Sequence, residues 1–168
     1  VTFDQDVGTT TPLEALTVST SGAIAAFGDL TADADITLTS TAANIDVAGN
    51  ITSNAGGVAL TGQTGVDVDQ TISAGLGVLI ESFAGTSTLG GNVIALGGLV
   101  RIAVAGDVTV VGSIAGDQDV SVAVGSLDVT GNVTSANGSI DVTSTGTVHI
   151  GQVAGVALSA NTAISVVS

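Results

Sequence analysis

Apolar and polar residues alternate in short runs along the whole chain, and small turn-forming residues break each run before it grows long. Residues 45–65, IDVAGNITSNAGGVALTGQTG, show the pattern most plainly. Ile45, Val47, Ile51, Val58 and Leu60 carry the apolar positions, each local pair two apart, while Gly49-Asn50 and Gly56-Gly57 interrupt them. A period of two with Gly and Asn between the runs predicts strand, turn, strand, turn.

The same unit recurs from end to end. Starting each copy at an apolar residue that opens an alternating run cuts the chain at 1–23, 24–44, 45–65, 66–86, 87–107, 108–126, 127–147 and 148–163, with a stub at 164–168. The four units between 24 and 107 share one length, 21 residues. VTFDQDV and VDVDQTI open the first and fourth units, and IDVAGNITSNAGG and LDVTGNVTSANGS open the third and seventh. A Gly followed by a small polar residue returns at one offset: Gly28-Asp29, Gly49-Asn50, Gly91-Asn92, Gly112-Ser113, Gly131-Asn132 and Gly151-Gln152. Such a step reads as a turn stacked on turns, since Gly tolerates left-handed geometry and Asn or Asp bonds neighbouring backbone or the next rung. The expected inward residues are Ile45, Val47, Ile51, Val58 and Leu60, stacking on Val66, Val68, Ile72 and Leu79, then on Leu89, Val93 and Ile102.

One unit cannot bury its apolar face alone, but a stack of them forms a continuous core. The expected fold is therefore all-β, a parallel β-helix or related β-solenoid of about eight rungs with a period near 21 residues, forming a single segment. At about 4.8 Å per rung the rod is roughly 38 Å long. A β-sandwich is the rival, because evenly spaced short strands can also pair antiparallel. At the ends, Val1 enters a unit without preamble and Ile164-Ser165-Val166 reads as the opening of a ninth rung. No polar cap is visible there, so the expected neighbours are further rungs of one long chain or identical subunits stacked end to end.

Composition narrows the rest. Hydrophobic residues make up 45% and aromatics 2%, so the core must be built from Val, Ile, Leu and Ala. A mean hydropathy of +0.67 with abundant β-branched residues argues against disorder. The net charge is −14, with Arg101 the one basic residue. Nucleic acid is excluded as a partner, since phosphate binding needs many cations, and anionic membrane surfaces repel such a chain. The acidic charge keeps an apolar, strand-rich protein soluble and discourages lateral association. Cysteine is absent, which removes disulfides and thiolate metal sites. The uncharged run from Ser82 to Val100 fits the repeat, and its Gly, Ser and Thr favour solenoid strands over membrane insertion.

The stretch VTFDQDVGTTTPLEALTVSTSG, residues 1–22, resembles repeats of large bacterial surface exoproteins of the filamentous haemagglutinin-like class, where a TF…VG-TTPL-LTV pattern is common. GNITSNAGGVAL and GNVTSANGSIDV look similar to the same class. The resemblance implies an extracellular β-helical shaft at the bacterial cell surface, exported by a two-partner or autotransporter-like route. It also implies a role in adhesion, biofilm or surface filaments, with a host or neighbouring-cell surface ligand as partner.

Candidate chemistry is sparse. The lone His149 stands outward between Val148 and Ile150, one rung from Asp128, and no G-x-S-x-G elbow occurs, so a surface pair is expected there and no enzyme. Without Lys there is no P-loop. The sequons at Asn50, Asn132 and Asn137 read as turn residues, and Thr37-Leu38-Thr39 is not sustained as the flat array an ice-binding face needs. Four Asp-x-Asp pairs remain: Asp4/Asp6, Asp33/Asp35, Asp67/Asp69 and Asp117/Asp119. Alternate strand residues point the same way, so each pair offers two carboxylates to a hard cation such as Ca²⁺. Asp46 and Asp67 share one offset in adjacent units and bring like charges about 5 Å apart, which calcium would relieve. Calcium is thus the one candidate cofactor, opposed by solvated acidic faces and by the absence of a G-G-x-G-x-D nonapeptide.

Overall fold

The computed structural model describes residues 1–151 and 158–168, and among them every regular element is a strand. Every strand pair is parallel, which removes the sandwich. The strands sort into three sheets of eight, seven and eight, and each turn from the second onward contributes one strand to each, while the first reaches the second sheet only through isolated bridges. In the third turn, Ile45–Val47 lies in the first sheet, Ile51–Ser53 in the second and Val58–Gly62 in the third. First-sheet strands open turns two to eight at Ile24, Ile45, Val66, Ser87, Val108, Leu127 and Val148.

Alternation decides which side chains enter the rod. Ile45, Val47, Ile51, Val58, Leu60, Val66, Val68, Ile72, Leu89, Val93 and Ile102 are all buried in one cluster running the length of the molecule. The second column of the second sheet stays small, with Ala32, Ser53, Ala74, Ala95, Gly116 and Ser135. Phe3 is half-buried, whereas Phe27 and Phe83 stand outside the core. A column of small residues lets two sheets meet at a narrow edge without a void, which close packing requires.

Two expectations need correction. Leu79 points outward, opposite Ala59, while Val78 and Ile80 take the inward places opposite Val58 and Leu60. Ile164–Val167 pairs in register with Ile140–Thr143, so it is the third strand of the eighth turn and not the start of a ninth. Of the expected Gly151-Gln152 corner, Gln152 lies outside the described residues.

The Leu79 shift has a geometric origin. Between the second and third sheets the corner occupies residues 33–35, 75–77 and 117–119 in the even or narrow turns, and one residue more at 54–57, 96–99 and 136–139. The corner between the third sheet and the next turn compensates, being wide at 41–44 and 83–86 and narrow at 63–65 and 105–107. The constant length of 21 is the sum of two corners that alternate in opposite phase. The true structural repeat is therefore a pair of turns. In the first turn Val7 and Leu13 bridge to Leu30 and Ala32, and the intervening TTP segment loops outward. Gly8 begins that loop at φ +75°, where a Cβ would strike the Thr31 carbonyl.

Candidate functional site

The Asp-x-Asp pairs were the strongest candidates for chemistry, and apart from Asp67, within the strand Val66–Val68, the structure places them at corners instead of along strands. Asp33 and Asp35 flank Ala34 in the narrow corner of turn two, and Asp117 and Asp119 flank Gln118 in that of turn six. Each carboxylate reaches up to the wide corner above it. Asp35 Oδ1 accepts the Gly57 N–H at 2.8 Å, and Asp119 Oδ1 accepts the Ser139 N–H at 2.8 Å. Asn54 Nδ2 donates to Asp33 Oδ1 at 2.9 Å, and Asn137 Nδ2 donates to Asp117 Oδ1 at 2.7 Å. The two members of a pair thus hold different groups of the next turn. These charge-assisted bonds fasten a wide corner onto a narrow one.

A buried serine completes each fastening. Ser53 Oγ donates to the Ala34 carbonyl at 2.6 Å and accepts the Gly56 N–H at 3.1 Å. Ser135 repeats both bonds, to the Gln118 carbonyl at 2.6 Å and from the Gly138 N–H at 3.0 Å. These serines were not singled out in the sequence. The signal that marks them is the shared stretch Thr-Ser followed by Asn-Ala-Gly or Ala-Asn-Gly, in which the Ser falls on the inward phase of its strand.

The Gly-Asn corners form a second ladder. Asp29 N–H donates to Asp6 Oδ1, Asn50 N–H to Asp29 Oδ1, Thr71 N–H to Asn50 Oδ1, and Ser113 N–H to Asn92 Oδ1, at 2.7–3.2 Å. Asn132 N–H continues it onto Ser113 Oγ. Each side chain accepts from the backbone one turn later, satisfying donors that the corner takes out of the sheet.

The remaining candidate acids lie on or beside the first sheet. Asp46 and Asp67 are direct register partners on its outer face, and Asp67 Oδ1 accepts the Thr88 N–H at 2.9 Å. Asp69 and Asp4 are exposed at the corner and loop that follow. Asp128 and His149 are also register partners, on the outer face of turns seven and eight. Among the described residues no three His, Cys, Asp or Glu side chains group as a metal site would require. Recesses are open grooves on outer faces, such as one beside Ile94, Ala115 and Thr134.

No relative emerges. Comparison with protein-family models, with curated proteins and with solved structures finds no match. The solenoid that the haemagglutinin-like resemblance implies is present, while membership of that class has no match behind it. The polar groups that looked available for chemistry are, for the most part, engaged in holding one turn on the next.

Proposed function

We propose that the chain is a structural shaft, a non-catalytic segment of an extracellular bacterial adhesin or cell-surface filament. The observation that carries this reading is the uninterrupted stack, three parallel sheets around one apolar core through about eight turns. Such a ladder resists bending because every turn is hydrogen-bonded to the next on three sides. The fate of the Asp and Ser side chains supports it, since corner fastening consumes groups that catalysis would need free. The likeness of residues 1–22 to surface exoprotein repeats supports the location.

Antibodies raised against the folded chain test the location: they should label extended structures on intact producing cells, and labelling only after permeabilisation would overturn it. The mass of the labelled polypeptide separates two forms of the shaft. A value far above 16 kDa indicates one long chain, and a value near 16 kDa indicates subunits assembled end to end.

The stacked Asp46 and Asp67 favour a second reading, a calcium-dependent adhesive module whose cation bridges like charges on adjacent strands. On that reading chelation lowers the melting temperature by several degrees; an unchanged melt in EDTA removes it.

A further inference from the structure

The paired-turn unit occurs three times, and its middle copy is built differently. In turns two and three and in turns six and seven, the corner between the second and third sheets is fastened by Asp, Asn and Ser. In turns four and five the same corner reads Gly75-Leu76-Gly77 below Leu96-Gly97-Gly98-Leu99, with Ala95 where the fastening serine would stand. Leu76, Leu96 and Leu99 are exposed by 53%, 66% and 47%, so leucine has replaced a polar fastening without being buried by the fold.

The apolar surface extends from that corner across the outer face of the third sheet. Ala59, Leu79, Ala103 and Ala123 lie outward on four adjacent strands, and Phe83, exposed by 63%, closes the far edge. Thr61, Glu81, Arg101 and Ser121 share the face, and the three alanines keep the ground around Leu79 low, as two sheets packing about 10 Å apart require. Its charge differs from the rest of the rod. Between Asp69 and Asp107 the chain carries only Glu81 and Arg101, whereas every other acidic residue lies before or after. The face is a neutral belt on a rod of net charge −14.

We propose that this belt is a self-association surface whose occupant is a second copy of the chain, the two rods meeting through the third-sheet strands of turns three to six, centred on turns four and five. Charge complementarity selects that occupant. A two-fold interface sets the same patch against itself, so it needs both signs within one patch. Glu81 and Arg101 supply them on neighbouring strands, and among the described residues neither side chain has a hydrogen bond or ion pair within the chain. A two-fold axis in the plane of contact sets Arg101 of each copy against Glu81 of the other and repeats the pair. The outer face of the first sheet, with Asp46, Asp67 and Asp128, would set acid against acid, and that of the second, with Thr31, Thr52, Ser73, Ile94, Ala115 and Thr134, offers no opposite charges to pair. Four strands of the third sheet give a face of roughly 17 by 19 Å, which with its leucine rim belongs to the small, reversible class of interface. This inference stands whether or not the rod is a surface shaft.

Sedimentation equilibrium of the intact chain between about 0.05 and 1 mM, in about 0.5 M NaCl to screen the acidic flanks, tests it. The expected result is a monomer–dimer equilibrium that weakens as salt is lowered. Leu79→Glu, an outward substitution whose fold is checked by circular dichroism, should abolish the dimer. Glu81→Arg and Arg101→Glu should each weaken it roughly tenfold by opposing like charges at two symmetry-related contacts, and the double variant E81R/R101E should restore it. Three results would each overturn the proposal: a monomer throughout this range, association that survives Leu79→Glu (as contact through strand edges at the rod ends would), or a double variant as weak as the singles.

Discussion

At the scale of single residues, Val78-Leu79-Ile80 marks the limit of what alternation can reveal. All three are apolar, so no polar residue fixes the phase, and adding the constant 21-residue period to Val58 lands on Leu79. The true step is shorter, because the turn-four corner is narrow, and Val58 stacks on Val78. In Ile45-Asp46-Val47 the central acid fixes the phase, and there sequence and structure agree. The distinction has an energetic consequence. Ile80→Ala should cost about 2–5 kcal/mol in chemical denaturation, since it opens a cavity in a stack that cannot collapse. Leu79→Ala should stay within about 0.5 kcal/mol, as outward substitutions do. Ser135→Ala should cost about 1–3 kcal/mol despite removing one oxygen, because it strands the Gln118 carbonyl and the Gly138 N–H together. The Asp-x-Asp pairs were visible but misplaced. Their spacing looked like strand geometry, and only the register shows that Asp33/Asp35 and Asp117/Asp119 bracket a corner while Asp67 alone sits on a strand.

At the scale of the turn, unit lengths were legible because most first-sheet strands open on an apolar residue after a turn residue, Ser87 being an exception. The alternation of corner widths was not, because between residues 24 and 107 a residue gained at one corner is lost at the next and the total does not change. A pair of deletions exposes it. Removing residues 45–65 sets the narrow corner at 75–77 on the narrow corner at 33–35, while removing 45–86 sets the wide corner at 96–99 on 33–35 and keeps the alternation. Stability in stacked repeats is a sum of units and interfaces, so the longer deletion would ordinarily cost more. Thermal melts followed by circular dichroism should show the reverse order, with the two-turn deletion melting higher than the one-turn deletion. If the melts fall simply with length, corner width carries no energetic weight.

For the molecule as a whole, parallel stacking turns every sequence position into a column, and a column of like charges is a standing strain. Asp46 beside Asp67 is the sharpest instance on the outer face of the first sheet. Asp46→Asn should therefore raise the melting temperature at low ionic strength, and the gain should shrink in about 0.5 M salt, where the Debye length falls to a few ångströms. An equal gain at both salts would trace the effect to something other than repulsion. Arg101 follows from the same column logic. It lies in the strand Val100–Val104, with partners on both sides, Leu79 below and Ser121 above. A chain with no Lys and one Arg offers trypsin a single address, and the fold hides that address in the middle of a doubly paired strand. Cleavage after Arg101 then requires the fifth turn to open, and when reclosing outruns cutting its rate reports the population of that open state. Limited trypsinolysis should leave the native rod intact and yield two fragments under denaturing conditions, which makes one exposed cation a built-in gauge of local unfolding at the rod's midpoint.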